Sequence, residues 1–251
     1  MKSSPLPTIA LGTLAIALCL GSVGPQPAHA SGSRYPAMGS IDRYLMADRN
    51  AEIALARSAA PDSISREATV LVLTRSGFET AVKGSNGFVC MVGRGWTDAI
   101  DFSEEWNPKL SGPVCLNPPA ARSLMPVIVK KMRMQLAGSA PAAIAASLRT
   151  AYQAGELPSL EPGAMSYMMS KSAYLTDGDG HNTSHVMFYL GVSDGSTLGA
   201  DQPKSPIASS SYWFPDDANN PLERGLPKIR VFVVGVKRWS DGSVQVVQPI
   251  K

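Results

Sequence analysis

Imidazole and thiol chemistry have few places to sit in this chain, which carries three histidines and three cysteines in 251 residues. His181 and His185 share the stretch Asp177-Gly178-Asp179-Gly180-His181-Asn182-Thr183-Ser184-His185. On a helix, two imidazoles at i and i+4 lie on one face and can hold a metal ion together. Two glycines and an Asn-Thr-Ser run argue against a helix here, and Asn182 stands where the H-E-x-x-H pattern needs Glu. In an extended strand the two rings would stand about 13 Å apart. A shared ion therefore needs a folded-back loop, completed by Asp177 or Asp179. A calcium loop counted from Asp177 puts Phe188 at its twelfth position, where an acid is required. Met165, Met168, Met169 and Met187 flank the histidines, and Met with His is a copper ligand set, as His with Asp suits zinc. Against this, Met168 and Met169 face opposite ways on a strand, and methionine is a common core filler. The simpler reading is a polar turn entering a strand, with a metal site of His181, His185, Asp177 and Asp179 as its alternative.

Three further groups carry candidate chemistry. Gly191-Val192-Ser193-Asp194-Gly195 matches the G-x-S-x-G nucleophile elbow and follows an expected strand. The following residues, with Gly195, Gly199 and Pro203, do not form the required helix, and no histidine lies downstream of His185. The match reads as a turn. Tyr212-Trp213-Phe214-Pro215-Asp216-Asp217 sets aromatics beside two acids, the pairing with which proteins stack and hydrogen-bond sugars. Aromatics pinned onto the core are the commoner arrangement, with Tyr212, Trp213, Asp216 and Asp217 as ligand candidates in the alternative. Cys90 and Cys115 are too far apart for a Cys-x-x-Cys motif.

The meaning of those cysteines depends on the N-terminal residues. Lys2 gives a positive start, residues 9–20 are apolar apart from Gly12 and Thr13, and Ala28-His29-Ala30 fits a small-residue cleavage site. Residues 1–30 read as a signal peptide, whose apolar run is too short to span a bilayer. Leu18 before Cys19 argues against a lipid anchor there. Cleavage removes Cys19 and His29, leaving Cys90 and Cys115 as an even pair. In an oxidising compartment such a pair reads first as a disulfide, with a free catalytic thiol as the alternative. Closing that loop stabilises by roughly 3–4 kcal/mol in the chain-entropy picture. Hydrophobic residues make up 44% and charged residues 17%, too apolar for disorder. The formal charge of +3, less Lys2, gives no case for a nucleic-acid partner. No later stretch is apolar enough for a membrane span, so the mature chain is expected to be soluble, in the periplasm or secreted.

The elements that must position these groups follow from periodicity. Residues 31–39 are Ser/Gly/Pro-rich and read as a flexible start, with one domain over 40–251. Ser40 is expected to cap a helix over 41–59. Residues 68–74, 78–83 and 88–94 alternate with turn signals and predict a three-stranded antiparallel meander. Residues 95–116 read as an irregular connection. Helices are expected from Asn117, interrupted at Pro126 and closed at Gly138, and again over 141–154. Residues 165–170, 185–190, 229–236 and 243–247 read as strands, and 193–228 as one long loop. The fold class is α+β: an antiparallel β-sheet, central meander plus C-terminal strands, packed by a few helices.

Asn86-Gly87-Phe88-Val89-Cys90-Met91-Val92, Pro113-Val114-Cys115 and Tyr167-Met168-Met169-Ser170, leading to His185-Val186-Met187-Phe188-Tyr189, resemble segments of a group of exported bacterial proteins. The likeness spans about residues 51–189, departs from the group at Ser184, where relatives often have Pro, and implies that Cys90, Cys115 and His185 belong to a shared scaffold. It brings no activity, substrate or cofactor. The expected role is a non-enzymatic binding or structural protein of unknown partner, for which a small molecule or a glycan is the candidate ligand. A copper- or zinc-binding protein using His185 with His181 or nearby Asp or Met is the alternative. A metal-free hydrolase would have only carboxylate pairs such as Asp216 and Asp217 to work with.

Overall fold

A computed structural model describes residues 34–97, 104–178, 183–192, 194–214 and 221–245. The expected signal peptide lies outside the described residues. The aliphatic run Val70-Leu71-Val72-Leu73 forms β1 (Thr69–Thr74), and a two-residue turn pairs it antiparallel with β2 (Gly77–Val82). The third strand, β3 (Val89–Gly93), does not extend this hairpin as a meander. It pairs parallel with the far side of β1, Thr69 opposite Val89 and Val70 opposite Cys90. The reason lies in the side chains. β3 is apolar on both faces and largely buried, whereas Glu79 and Thr80 of β2 are exposed, so β3 takes an interior place and β2 an edge. Gly84 makes the crossing feasible. A Cβ there would lie 2.2 Å from the Thr69 nitrogen and 2.4 Å from the Glu67 oxygen, so only glycine lets the chain pass over the start of β1.

Five more strands complete one sheet. Within the stretch expected to be irregular, β4 (Gly112–Leu116) pairs antiparallel with β3 and sets Cys90 directly opposite Cys115. β5 (Met165–Met168) and β6 (His185–Leu190) follow where strands were expected. The long loop contains a strand of its own, β7 (Ile207–Ser211), which pairs with β8 (Arg230–Gly235). The order is β2-β1-β3-β4-β5-β6-β8-β7, antiparallel except for β1 with β3. At the outer edge Asp201 caps β7: its N–H donates to the Ile207 carbonyl, and its carboxylate accepts the Ser209 N–H and hydroxyl. That blocks part of an edge another strand could otherwise join. Of the expected strand over 243–247, the described part makes a single bridge between Arg238 and Val244.

Helices cover both faces. Ser40 leads only into a 3-10 turn, Ile41–Arg43, and the helix itself starts later as α1 (Arg49–Arg57), capped by Asp48, whose carboxylate accepts the Asn50 N–H at 2.8 Å. Between them Tyr44 is buried, and its hydroxyl donates to the Trp106 carbonyl at 3.0 Å, which anchors the chain before α1. A short α2 (Asp62–Ser65) follows. α3 (Pro118–Leu136) runs unbroken through Pro126, and α4 (Pro141–Gln153) follows it, starting after Ala140 with no side-chain cap from Ser139. On one sheet face Met91, Val114, Leu116, Met187 and Tyr189 pack against Leu124, Val127, Ile128, Ile144 and Leu148 of α3 and α4. On the other, Val70, Cys90, Val92 and Cys115 pack beneath Ala56 of α1 and Ala59-Ala60. The fold is α+β. No helix among the described residues is long and apolar enough to cross a membrane.

Candidate functional site

The histidine reading divides between described and undescribed residues. His181 and Asp179 lie outside the described residues. His185 opens β6 on the same face as Met187 and Tyr189, directly opposite Met168 of β5. Its Nδ1–H donates to the Thr183 carbonyl, which fixes the tautomer because a carbonyl only accepts. Burial lowers the pKa of the ring, outweighing that hydrogen bond, so the imidazole is neutral at pH 7. Asp177 has become a clamp. Its Oδ2 accepts Arg34 Nη1 at 2.9 Å and the Tyr35 hydroxyl at 2.8 Å. Its Oδ1 accepts the Tyr174 hydroxyl at 2.6 Å, Lys109 Nζ at 3.0 Å and Asn107 Nδ2 at 3.3 Å. These donors, Tyr174 foremost and then Tyr35, hold its carboxyl far below the usual range. Glu104 works beside it, accepting the Thr176 hydroxyl at 2.7 Å and the Asp177 N–H at 2.9 Å. A metal at Asp177 would have to displace donors already in place. Among the described residues no group of three or more His, Cys, Asp and Glu side chains is placed to hold an ion.

The three aromatics take the core-pinned arrangement. Tyr212, Trp213 and Phe214 are buried in the core under α4. Trp213 Nε1 donates to the Pro227 carbonyl at 2.7 Å, and its ring meets Tyr152 edge-on at 5.8 Å. Tyr212 meets Tyr189 edge-on at 5.6 Å. Rings this large gain more from burial than from exposure, and no sugar can stack on faces already covered. Asp216 and Asp217 lie outside the described residues, as does Ser193 of the G-x-S-x-G match. Cys90 and Cys115 are disulfide-bonded and fully buried between β3 and β4.

Two buried polar clusters knit the elements together. Arg94, after β3, and Glu52 of α1 are each 2% exposed and meet at 3.1 Å. Arg94 also donates to the Tyr44 and Val92 carbonyls, and Glu52 Oε1 accepts the Leu73 N–H at 3.2 Å. On α3, Gln135 Nε2 donates to Glu105 at 3.0 Å, and the Lys131 ammonium lies 5.6 Å from the centre of the Phe214 ring. Burial raises the Glu105 carboxyl, with Lys131 and Gln135 drawing it back down.

A feature with room for a ligand, among the described residues, lies on another side of α3. A groove of about 780 Å³ runs along the helix, walled on one side by Ala151 of α4 and by Glu156 and Leu157 after it. Ala121, Met125, Pro126, Val129 and Met134 give it an apolar floor, and Arg122, Lys130 and Arg133 give it a basic rim. Arg122 is held by Glu161 through Nε at 3.0 Å and Nη2 at 2.7 Å. The Lys130 and Arg133 side chains have no ion pair or hydrogen bond among the described residues. Pro126 adds a backbone feature: it has no N–H, so the Arg122 carbonyl lacks its helical donor at the groove wall. Sequence reasoning missed this site. Its signal was a second apolar stripe, Ala121, Met125 and Val129, beside the core stripe of Ala120, Leu124, Val127 and Ile128. No protein-family model, curated protein or solved structure matches the chain.

Proposed function

We propose that the protein is exported and acts by binding rather than by catalysis, with the groove along α3 as its binding surface. The groove carries this reading. Ala121, Met125, Val129 and Met134 are half-buried: each packs against the core on one side and turns the rest of its surface to the groove, beside cations. Export is supported by the signal-peptide pattern, by the likeness to exported bacterial proteins, and by a buried cystine that a reducing compartment would not install. The protein purified from the periplasm or medium of its producer should begin at Ser31. The neutral probe N-phenylnaphthylamine should gain fluorescence on the oxidised protein and lose that gain in Val129→Asp. Met125→Glu serves as a second variant should the first not fold. An equal gain in both folded variants would place the probe elsewhere and sink the reading.

A further inference from the structure

Resting on that reading, we propose that the occupant of the α3 groove is an acidic amphipathic helix presented by a partner protein. Shape argues first. Arg122 to Arg133 covers about 17 Å of helix axis, roughly three turns, and the groove is open along its length. A small ligand is usually enclosed over some 70–90% of its surface, whereas this groove has its wall on the α4 side. An amphipathic helix needs only one apolar stripe covered, and three turns match its i, i+3, i+4, i+7 anchors. The floor suits such a guest, because Met125 and Met134 are unbranched and adapt to the side chains laid on them.

Charge then selects the kind of helix. Glu161 already neutralises Arg122 and Glu156 stands on the α4 side of the groove, but the Lys130 and Arg133 side chains, three residues apart on the rim, make no ion pair or hydrogen bond among the described residues, so the α3 side offers two unpaired cations to a guest. Glutamates flanking the guest's apolar stripe would meet them, and like charges there would repel.

The test uses the full oxidised protein and a synthetic helix of about five turns, with leucines at the anchor spacing and glutamates beside them. One control replaces Glu by Lys, and a second scrambles the order at fixed composition. The acidic peptide should bind at least about tenfold tighter than either control, and raising salt from about 0.05 to 0.5 M should weaken it. Lys130→Glu with Arg133→Glu, both on half-buried or exposed side chains, should lose about tenfold or more in peptide affinity, with circular dichroism checking that the variant is folded. The methyl signals of Met125 and Met134 should shift on peptide addition. Equal binding of the scrambled or Lys peptide would overturn the proposal, as would unchanged affinity in the charge-reversed variant. So would palmitate that displaces the probe where the acidic peptide does not, or self-association that Val129→Asp abolishes. If the probe binds and the acidic peptide does not, the partner is wrong and the binding surface stands; if neither binds, both fall.

Discussion

At the scale of single residues the least replaceable contact is the one between Glu52 and Arg94. Both side chains are almost wholly buried, and burial alone lowers the Arg94 pKa, which the Glu52 carboxylate opposes. Guanidinium stays charged under nearly any surroundings, so the charge must be matched rather than lost. Glu52→Gln keeps the shape and an acceptor for the Leu73 N–H but leaves that charge unmatched. We expect a loss of about 3–5 kcal/mol in urea unfolding. Replacing both together, Glu52→Leu with Arg94→Met, should lose less than the sum of the single changes. Recovery should be partial, because the Leu73 N–H and the Tyr44 and Val92 carbonyls lose their partners. A loss under about 1 kcal/mol for Glu52→Gln would show that water reaches the pair.

At the scale of elements, the crossing at Gly84 governs the sheet order. Any Cβ there meets the backbone of residues 67–69, which cannot swing aside as a side-chain end can. Gly84→Ala should therefore destabilise by roughly 2–3 kcal/mol, more than a glycine replaced in open space such as Gly235. Chemical denaturation of both variants checks this, and equal effects would refute it. The same crossing marks where the sequence stopped being legible. Periodicity revealed β1, β2, β3, β6 and β8 because their aliphatic runs sit between turn residues, and it revealed α3 and α4 because Pro and Gly bracket them. The cystine was legible from cysteine parity on the reading of residues 1–30 as a leader. Pairing was not, since Gly84-Ser85-Asn86-Gly87 looks alike whether it folds a hairpin or carries the chain past a strand. β4 hid because Gly112 and Pro113 look like loop residues, although the strand is buried on both faces. β7 hid because Ser209, Ser210 and Ser211 carry no apolar signal at an edge. The α3 groove hid for a different reason: apolar residues on a second helical stripe read as more core until the sheet's position shows which stripe it covers.

For the whole molecule, titration behaviour follows from groups spread over the fold. The carboxyls of Asp177, Asp194, Asp201 and Asp241 are all lowered by the hydrogen bonds they accept. A lowered carboxyl favours the folded state above its unfolded pKa of about 3.9 and loses that support as pH falls further. His185 has the same slope for the opposite chemical reason. Burial disfavours its cation, so the unfolded chain takes up a proton first, and stability declines as pH falls below about 6.5. Glu105 opposes both, since its raised carboxyl favours folding most below about 4.3 and less as pH rises through its folded value. Tyr35, Tyr152 and Tyr174 are raised as well, so their support fades only above about pH 10. Stability should accordingly climb from acid to about pH 6.5 and stay level to about pH 10. Each proton taken up only on unfolding contributes a slope of about 1.4 kcal/mol per pH unit. His185→Gln should flatten the stretch just below pH 6.5 and leave the limb below pH 4, whereas Asp177→Asn should flatten the lower limb alone. Urea midpoints taken across this range for the three proteins decide the matter. A His185→Gln profile parallel to the parent would mean that the ring charges freely in the folded protein, and that its place opposite Met168 is open to water.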